Sequence, residues 1–355
     1  MQYYLIISLA TVLLNWLFRS KDRLSKWAFF LSFAAVMVFF AIRYGFGLDY
    51  WSYYDLFTNE RHSRTRGPEE TLFYGFMGLF PKYYIFVIAH TAVLFISLCY
   101  ISYKNISSKY YYLLFFFLLF NPDMVLNMTS AMRSSMAACV IWIFTYLFLI
   151  KKSRIVLFEI GVLVAAGFHT SAILFALLPI ALYLIKIVHG RTLFIVLMIF
   201  NVLSMFLTTY LYDWFVGYSK MEIYDTNTVY VSSFMGFLFK MLLAPVAYYI
   251  CTAPKEKDMN PRIKQLAILF LALVFTNFDF QGRFTVYLYI FFIAAVCALL
   301  VKAKPKQRIV ISSTMVLYLL YNFYTFITML TSSVYRFEDG NYLLYETIFD
   351  VATKP

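Results

Sequence analysis

Residues 83–103 read YYIFVIAHTAVLFISLCYISY, a run of 21 residues that contains no Asp, Glu, Lys or Arg. A bilayer hydrocarbon core about 30 Å thick needs roughly 20 residues of α-helix, so this run is long enough to cross a membrane. Its peptide groups cannot bond to water in lipid, and a helix satisfies all of them internally. The stretch therefore predicts a transmembrane helix, and the segments on either side of it set the arrangement of the chain.

Short basic connections follow this helix and recur along the chain. Together they hold 19 of the 30 Lys and Arg residues but three of the 18 Asp and Glu residues. Lys and Arg in short loops mark the cytoplasmic side of a membrane protein, so these connections predict the cytoplasmic face. They are RSKDRLSK (19–26), KNISSK (104–109), KKSR (151–154), KIVHGR (186–191), PKEKDMNPRIK (254–264) and KAKPKQR (302–308).

The composition excludes a soluble domain, because 63% of the residues are hydrophobic and 14% are charged, against about 25% charged in soluble proteins. The strands of a membrane barrel alternate apolar and polar residues over about 10 positions. The apolar runs of this chain are continuous, so they do not fit a barrel. We expect an all-α, polytopic integral membrane protein with about 12 transmembrane helices and both termini on the outer (periplasmic or extracellular) side. The predicted spans are 2–18, 26–42, 83–103, 109–121, 131–150, 154–168, 170–186, 191–212, 231–251, 263–277, 283–301 and 308–330.

We expect residues 1–355 to form a single transmembrane domain with three long outer segments. These are loop 43–82, with an interfacial or re-entrant helix near 69–80, loop 213–230 and the tail 331–355. The net charge of +12 is mainly a topological signal, and since no basic patch is contiguous we expect no nucleic-acid partner. The four cysteines lie in or at the ends of spans without metal-binding spacing, so we expect neither a metal nor a cofactor.

Loop 43–82 begins RYGFGLDYWSYYDLF (43–57), with Arg43 at the outer end of a span. Two glycines permit a tight turn, and Asp49 then precedes an aromatic cluster. Aromatic faces beside carboxylates are typical of sugar sites, whereas an interfacial aromatic belt with an Arg anchor gives the same composition. On the first interpretation the glycan-binding residues are Tyr50, Trp51, Tyr53 and Tyr54, together with Tyr345 in the tail.

Other chemically distinctive residues also fall at outer ends of spans. Arg133 lies in MTSAMRSSMAACVIWI (128–143) beside Ser130, Ser134 and Ser135, a composition that suits an anion at a helix N-terminus. His169 lies in VAAGFHTSAILF (164–175) at a tight turn, and Arg283 lies in FDFQGRFTVYLY (278–289). Each also fits a purely structural role, as a helix-end anchor or a capping residue. Lys240 lies within a span, where an ionisable residue is a functional candidate.

Arg43, Arg133 and Arg283 thus face the same side as His169 and several carboxylates. Arg pairs with phosphate through two parallel hydrogen bonds. We therefore expect these three arginines to bind a lipid-linked pyrophosphate. The first candidate for a catalytic base is His169, and the alternatives are Asp49 and Glu70.

The order of these residues resembles the EpsG-like family of bacterial exopolysaccharide and O-antigen polymerases (Wzy-like). The matching segments are R-x-x-x-G-x-D-Y-x-x-Y (43–53), E-x-L-F (70–73), Arg133 with its small-residue helix (133–137), F-H-x-S-A (168–172) and R-x-x-x-Y (283–287). The resemblance implies a multi-pass glycosyltransferase of the bacterial cytoplasmic (inner) membrane. It would join undecaprenyl-pyrophosphate-linked oligosaccharides on the periplasmic or exterior face, with a flippase and a chain-length regulator as partner proteins.

Three other functions use similar residues. An O-antigen-ligase-like glycan transferase has the same leaving group and the same need for arginines, and a membrane O-acetyltransferase also uses Arg and His near a membrane face. A flippase or transporter of lipid-linked oligosaccharide needs charges deep in the bundle, where only Lys240 is clearly placed. Pyrophosphate is a good leaving group, so we expect catalysis to be metal-independent.

Overall fold

The computed structural model describes residues 2–47, 49–60, 70–216, 234–253, 259–276, 281–331 and 346–348. The chain divides into two compact units, Met1–Leu178 with Asn322–Pro355, and Pro179–Tyr321. The single transmembrane domain expected over residues 1–355 stays a prediction. Most of the outer loop 213–230 and of the tail 331–355 lies outside the described residues.

Helices make up nearly all of the described chain. The first part holds α1 (Gln2–Phe18), α2 (Asp22–Ala41), α3 (Tyr50–Glu60), α4 (Thr71–Gly78), α5 (Tyr83–Asn105), α6 (Tyr111–Leu119), α7 (Pro122–Ser130), α8 (Met132–Phe144) and α9 (Ile155–Phe168). Shorter elements there are the 3₁₀ helices Ser108–Tyr110 and Thr170–Leu177 and the π-helix Thr145–Ile150. The later helices are α10 (Leu178–Ile187), α11 (Gly190–Val216), α12 (Phe234–Met241), α13 (Ala244–Thr252), α14 (Pro261–Phe275), α15 (Gln281–Lys302) and α16 (Pro305–Thr331).

One short antiparallel ladder joins distant parts of the first unit. Strand β1 (Arg43–Tyr44) pairs with β2 (Glu346–Thr347), with Arg43 opposite Thr347. The next residue, Ile348, donates its N–H to Ile42 O at 3.0 Å. This ladder places the described part of the tail against the start of loop 43–82.

Helix α1 buries polar side chains and exposes apolar ones, which is the reverse of a surface helix in a soluble protein. Its buried side chains are Tyr4, Ser8, Thr11 and Asn15, whereas its exposed ones include Ile6, Leu9, Leu13 and Leu17. Asn15 Nδ2 donates to Ser32 Oγ of α2 at 2.7 Å. Polar side chains at helix contacts and apolar side chains on the outside are the pattern of helices surrounded by lipid.

Several helices are long and apolar enough to cross a bilayer, so the chain is a multi-pass membrane protein. The bent pair Ser108–Leu119 and Met124–Ser130 meets the same test as one broken segment, and shorter apolar helices include Gln2–Phe18 and Ile155–Phe168. Each predicted span contains at least one described helix, but the count of twelve and the orientation stay predictions. Within the part of the chain that the structure describes, the helices that pass alone are Asp22–Ala41, Tyr83–Asn105, Met132–Ile150, Thr170–Ile187, Phe284–Lys302 and Pro305–Phe326.

The predicted span 109–121 is not a straight crossing helix. The chain bends by 73° between Ser108–Leu119 and Met124–Ser130, so α7 continues at an angle before α8 begins. Proline at position 122 has no N–H to donate to a preceding turn and is tolerated at the start of a helix. This is the physical reason why the apolar run is interrupted and a second helix begins at Pro122.

The two ends of α2 lie in different environments. Near Asp22, Ser108 Oγ donates to Asp22 Oδ1 at 2.7 Å and Ser25 Oγ donates to Ser108 O at 2.8 Å, which joins basic connections 19–26 and 104–109. Arg43 follows the other end of this 20-residue helix. At 1.5 Å per residue the two ends are about 30 Å apart, the thickness of a bilayer core.

Helices α8 and α9 approach each other closely at Gly161. A Cβ atom at this position would lie 2.2 Å from the ring of Phe144 in α8, so no larger residue fits without a shift. This contact fixes α9 on α8, and the end of α9 carries His169.

The charge pattern predicts that Ser52 in α3 faces the outside and Ser107 in connection 104–109 faces the cytoplasm. In intact cells we expect a membrane-impermeant maleimide to label Ser52→Cys, and to label Ser107→Cys only after permeabilisation. Both serines are exposed, and the wild-type chain is the control because its cysteines are buried or half-buried. Labelling of Ser52→Cys that requires permeabilisation would contradict the predicted orientation.

Candidate active site

Glu70 lies at the N-cap of α4 and bridges two other predicted site residues. Its Oε2 accepts from Arg133 Nη1 at 2.7 Å, and its Oε1 pairs with His169 Nδ1 at 2.7 Å. The backbone N–H of Thr170 also donates to Oε1, at 3.3 Å. The Glu70 side chain is 8% exposed, so this carboxylate is almost enclosed by its partners.

The backbone of Glu70 is in an uncommon conformation. Its φ of 64° lies in the left-handed region, which costs a non-glycine residue of order 1–3 kcal/mol and is often found at functional sites. The three contacts to its carboxylate, together with the burial of Phe73 one turn later, hold the residue in this position.

The pKa of Glu70 determines which nitrogen of His169 carries a proton. Burial raises the pKa of this carboxyl, but the hydrogen bond from His169 and the charge of Arg133 outweigh that effect and lower the pKa to about 2. Glu70 is therefore ionised at neutral pH and can only accept hydrogen bonds. His169 Nδ1 must then be the donor, so that in the neutral form of the imidazole Nε2 keeps its lone pair.

Arg133 is the second residue of α8 and offers part of its guanidinium to solvent, since its side chain is 41% exposed. The hydroxyl of Tyr53 accepts from Arg133 N at 3.3 Å and lies 3.5 Å from Arg133 Nε. Burial raises the pKa of Tyr53, so this hydroxyl stays protonated. Tyr53 and Glu70 together fix the direction of the guanidinium.

The sequence predicts a pyrophosphate contact for Arg43, whereas the structure encloses its guanidinium. The residue is 1% exposed, and it donates to Phe40 O at 2.6 Å, Thr91 Oγ1 at 3.0 Å and Thr129 O at 2.8 Å. These bonds join the end of α2 to α5 and α7. The geometry thus favours a positioning role for Arg43 over a contact with ligand.

The serines around Arg133 bond within the protein. Ser134 Oγ donates to Ala131 O at 3.0 Å, and Ser135 Oγ donates to Met132 O at 3.0 Å while lying 2.7 Å from His90 Nε2. Ser130 and Ser135 are both buried. Arg133 is therefore the side chain of this group with the greatest access to an anion.

The predicted glycan-binding residues differ in exposure. Tyr50 and Tyr53 are buried in an aromatic cluster with Phe57, Phe73 and Phe86. Trp51 is half-buried and Tyr54 is 39% exposed, so these two rings are the more accessible. Two of these four rings thus pack within the loop, and the other two are accessible.

Three further predicted site residues are Asp49, Arg283 and Tyr345. Asp49 precedes α3, is half-buried, and accepts from Tyr53 N through its main-chain oxygen at 3.0 Å. Arg283 lies in α15, but its side chain is outside the described residues, as is the whole of Tyr345. Their predicted roles stay predictions.

A glycine turn brings loop 43–82 close to α7. Gly47 has a φ of +125°, which a residue with a Cβ rarely adopts, and a Cβ there would lie 2.8 Å from Ser130 Oγ. The tight turn that the glycine pair permits is found at this position. It sets the start of α3, which carries Tyr53 to Arg133.

Two features of the site had no signal in the sequence. Glu70 and His169 are 99 residues apart, and nothing in either segment identifies the other as its partner. The same applies to the contact of Tyr53 with Arg133 across 80 residues. Among the described residues, no group of three His, Cys, Asp or Glu side chains is placed to hold a metal ion.

Comparison with known families identifies the chain over most of its length. Residues 26–345 match the EpsG family, which confirms the resemblance drawn from the residue pattern. No curated protein and no solved structure matches the chain.

Glu70→Gln is expected to destabilise the fold, because a neutral amide loses the charge-assisted bonds to Arg133 and His169. We expect the free energy of unfolding to fall by about 1–3 kcal/mol at neutral pH. The folded pKa is lowered, so the difference from wild type is constant above about pH 4.5 and narrows as the pH falls toward 2. The difference in the free energy of unfolding is measured by thermal unfolding of the purified proteins in detergent, with intrinsic fluorescence as the signal.

The matched control is Asp55→Asn, which removes an exposed carboxylate from the same loop. It should unfold at the wild-type temperature. Equal stability of the Glu70→Gln variant and wild type would contradict the bridging role of the carboxylate.

Proposed function

Because the chain belongs to the EpsG family, we propose that it is a polysaccharide polymerase of the bacterial cytoplasmic membrane. Family membership supports a glycosyltransferase-like role in polysaccharide polymerisation. The proposed substrates are undecaprenyl-pyrophosphate-linked oligosaccharide repeats, of which one is the donor and the other the acceptor. The proposed location of the reaction is the outer face of the membrane.

The observation that carries this proposal is the bridge between Arg133, Glu70 and His169. It joins a partly exposed cation to an oriented imidazole through a carboxylate that is 8% exposed. A glycosyl transfer from pyrophosphate needs a base for the acceptor hydroxyl and positive charge at the leaving group. The bridge provides both within one group of contacts.

His169 is the proposed base. Its Nε2 takes the proton of the acceptor hydroxyl as the oxygen forms a bond to the anomeric carbon of the donor. The imidazolium that results is stabilised by Glu70, which holds Nδ1–H at 2.7 Å. Both oxygens of Glu70 accept bonds from the protein, so Glu70 acts as the orienting group and Asp49 is the second candidate for the base.

Arg133 is the proposed contact of the leaving group. The bond between the anomeric carbon and the pyrophosphate oxygen breaks, and the electron pair leaves with the lipid pyrophosphate. The guanidinium hydrogens that are not used by Glu70 and Tyr53 can donate to the phosphate oxygens. Pyrophosphate is stable as an anion, so the proposed reaction needs no metal ion.

The charge pattern supports an outer location for this site. The basic connections 19–26 and 104–109 meet beside Asp22, while the bridge follows the far end of α2 through Arg43 and its contact with Thr129. If the basic end is cytoplasmic, the bridge faces the periplasm or exterior.

A ligase that transfers finished glycan would use the same groups. A ligase and a polymerase would differ in the acceptor.

Transport has less support from the structure. Lys240, the charge expected deep in the bundle, donates to Thr276 O at 3.2 Å. Thr276 is the C-cap of α14, where a cation is favoured by the helix dipole. This contact gives Lys240 a structural role that needs no transported ligand.

His169→Ala should lower the rate of polymerisation by about 10²–10⁴-fold, the usual contribution of a positioned base. Purified protein with synthetic undecaprenyl-pyrophosphate repeats, in the presence of a chelator, gives the rate as a ladder of polymer lengths. His189→Ala in the basic connection 186–191 is the control and should be as active as wild type. Wild-type ladders from His169→Ala would transfer the role to Asp49.

Arg133→Lys and Arg43→Lys should fail in different ways. Lys keeps the charge of Arg133 but loses its planar set of donors, so we expect kcat to fall by about 10²-fold or more with little change in melting temperature. Arg43→Lys breaks buried bonds between helices, so we expect a lower melting temperature and less folded protein. Arg19→Lys, at an exposed position, is the control for both. A lower kcat with an unchanged melting temperature for Arg43→Lys, and a lower melting temperature for Arg133→Lys, would instead assign the pyrophosphate contact to Arg43.

A further inference from the structure

A second concave site lies beside the bridge, within the same unit. It is a cavity of about 320 Å³ at the junction of α3, the first turn of α5 and the strand ladder. Most of its wall is aromatic and carries hydroxyl groups. The residues that matter here are Tyr44, Tyr50, Tyr54, Lys82, Tyr83 and Tyr84.

Helix α3 contributes to both this cavity and the bridge. Tyr50 and Tyr54 are one helical turn apart and line the cavity, together with Phe57 and Thr58. Tyr53 packs in the same aromatic cluster as Tyr50 and Phe57 and contacts Arg133. A group bound in the cavity is therefore connected to the proposed catalytic residues through α3.

The aromatic wall is held rigid by contacts between its rings. Tyr83 meets Tyr50 edge-to-face with ring centroids 5.2 Å apart, and meets Tyr54 in the same way at 5.4 Å. The hydroxyl of Tyr83 donates to Tyr50 O at 2.9 Å. Rings that are fixed before binding lose little entropy when a ligand stacks on them.

The tail forms part of the wall. Ile348 lines the cavity and is held there by its N–H bond to Ile42 O at 3.0 Å. Tyr44 of β1 lines the same side. The cavity is thus built from three distant segments of the chain and is not the surface of one loop.

The charge of the cavity has one sign. Lys82 is exposed and its ammonium lies 5.8 Å from the centroid of the Tyr84 ring. No Asp or Glu is among the described lining residues. The first turn of α5 begins at Tyr83, and helix N-termini favour negative charge. Aromatic faces, hydroxyls and a single cation together suit a sugar ring that bears an anion.

We propose that this cavity is an acceptor subsite that binds a sugar residue carrying a carboxylate, that is, a uronic acid of the repeat unit. The pyranose ring stacks on Tyr54, and the carboxylate pairs with Lys82. This assignment rests on the proposed polymerase function, since it places one sugar of the acceptor chain beside α3. It predicts that the polysaccharide made by this protein is acidic.

Binding of two disaccharides that differ only in the acid tests the assignment. The probes are β-glucuronosyl-(1→4)-glucose and cellobiose, titrated into the purified full-length protein in nanodiscs and followed by saturation-transfer NMR. We expect the acidic disaccharide to bind about fivefold more tightly, as expected for one partly exposed ion pair. Lys82→Gln should remove this difference, and Tyr54→Ala should weaken both probes.

The matched control is Lys104→Gln. Lys104 is also an exposed lysine over tyrosine rings, 5.9 Å from the Tyr100 centroid, but it lies in the basic connection 104–109. It should leave the difference unchanged. Equal binding of the two disaccharides by wild type, or a difference that survives Lys82→Gln, would overturn the proposal, as would displacement of the acidic disaccharide by anionic phospholipid in the nanodisc.

His169→Ala separates this proposal from the proposed function. It should lower the polymerisation rate by about 10²–10⁴-fold and leave the preference for the acidic disaccharide intact, because His169 does not line the cavity. If wild type shows the preference but makes no polymer, the polymerase proposal fails while the sugar site stands. If polymer forms without any preference, the sugar site fails alone.

Discussion

The site depends on the hydrogen bonds that the Glu70 carboxylate accepts. This carboxylate is nearly enclosed, and it is stable there as an anion because Arg133 and His169 both donate to it at 2.7 Å. Those two partners come from α8 and from the end of α9, and Glu70 itself begins α4. One buried charge therefore sets the relative positions of three segments. It also fixes the tautomer of the imidazole, which an unpaired His169 would leave undefined.

Arg43 also joins segments of the first unit. Its guanidinium joins α2, α5 and α7 through three oxygen acceptors. A buried cation is costly unless its donors are satisfied, and here two carbonyl oxygens near helix ends and the Thr91 hydroxyl supply the acceptors. The two arginines at this end of the first unit thus differ in exposure, since Arg43 is enclosed and holds helices together whereas the Arg133 side chain is 41% exposed.

The sequence predicted the class of fold because lipid imposes a strong rule: apolar runs must be helices, and basic loops choose a side. It also identified Glu70, Arg133 and His169 as candidates. It did not predict that they meet, since contacts across 63 and 99 residues depend on how helices pack. The pattern treated Arg43 and Arg133 alike because both lie at outer ends of predicted spans. Burial distinguishes them, and burial is a property of the assembled helices.

The pairing of β1 with β2 has a consequence for the order in which the protein is made. A membrane protein is inserted from its N-terminus, so α2, α3 and α5 are in place while residues 346–348 are still to be synthesised. Ile348 then completes a wall whose other members were inserted much earlier. A nascent chain can therefore contain the bridge of Glu70 before it contains a finished cavity, and the cavity is completed late in biogenesis, when the last described segment docks.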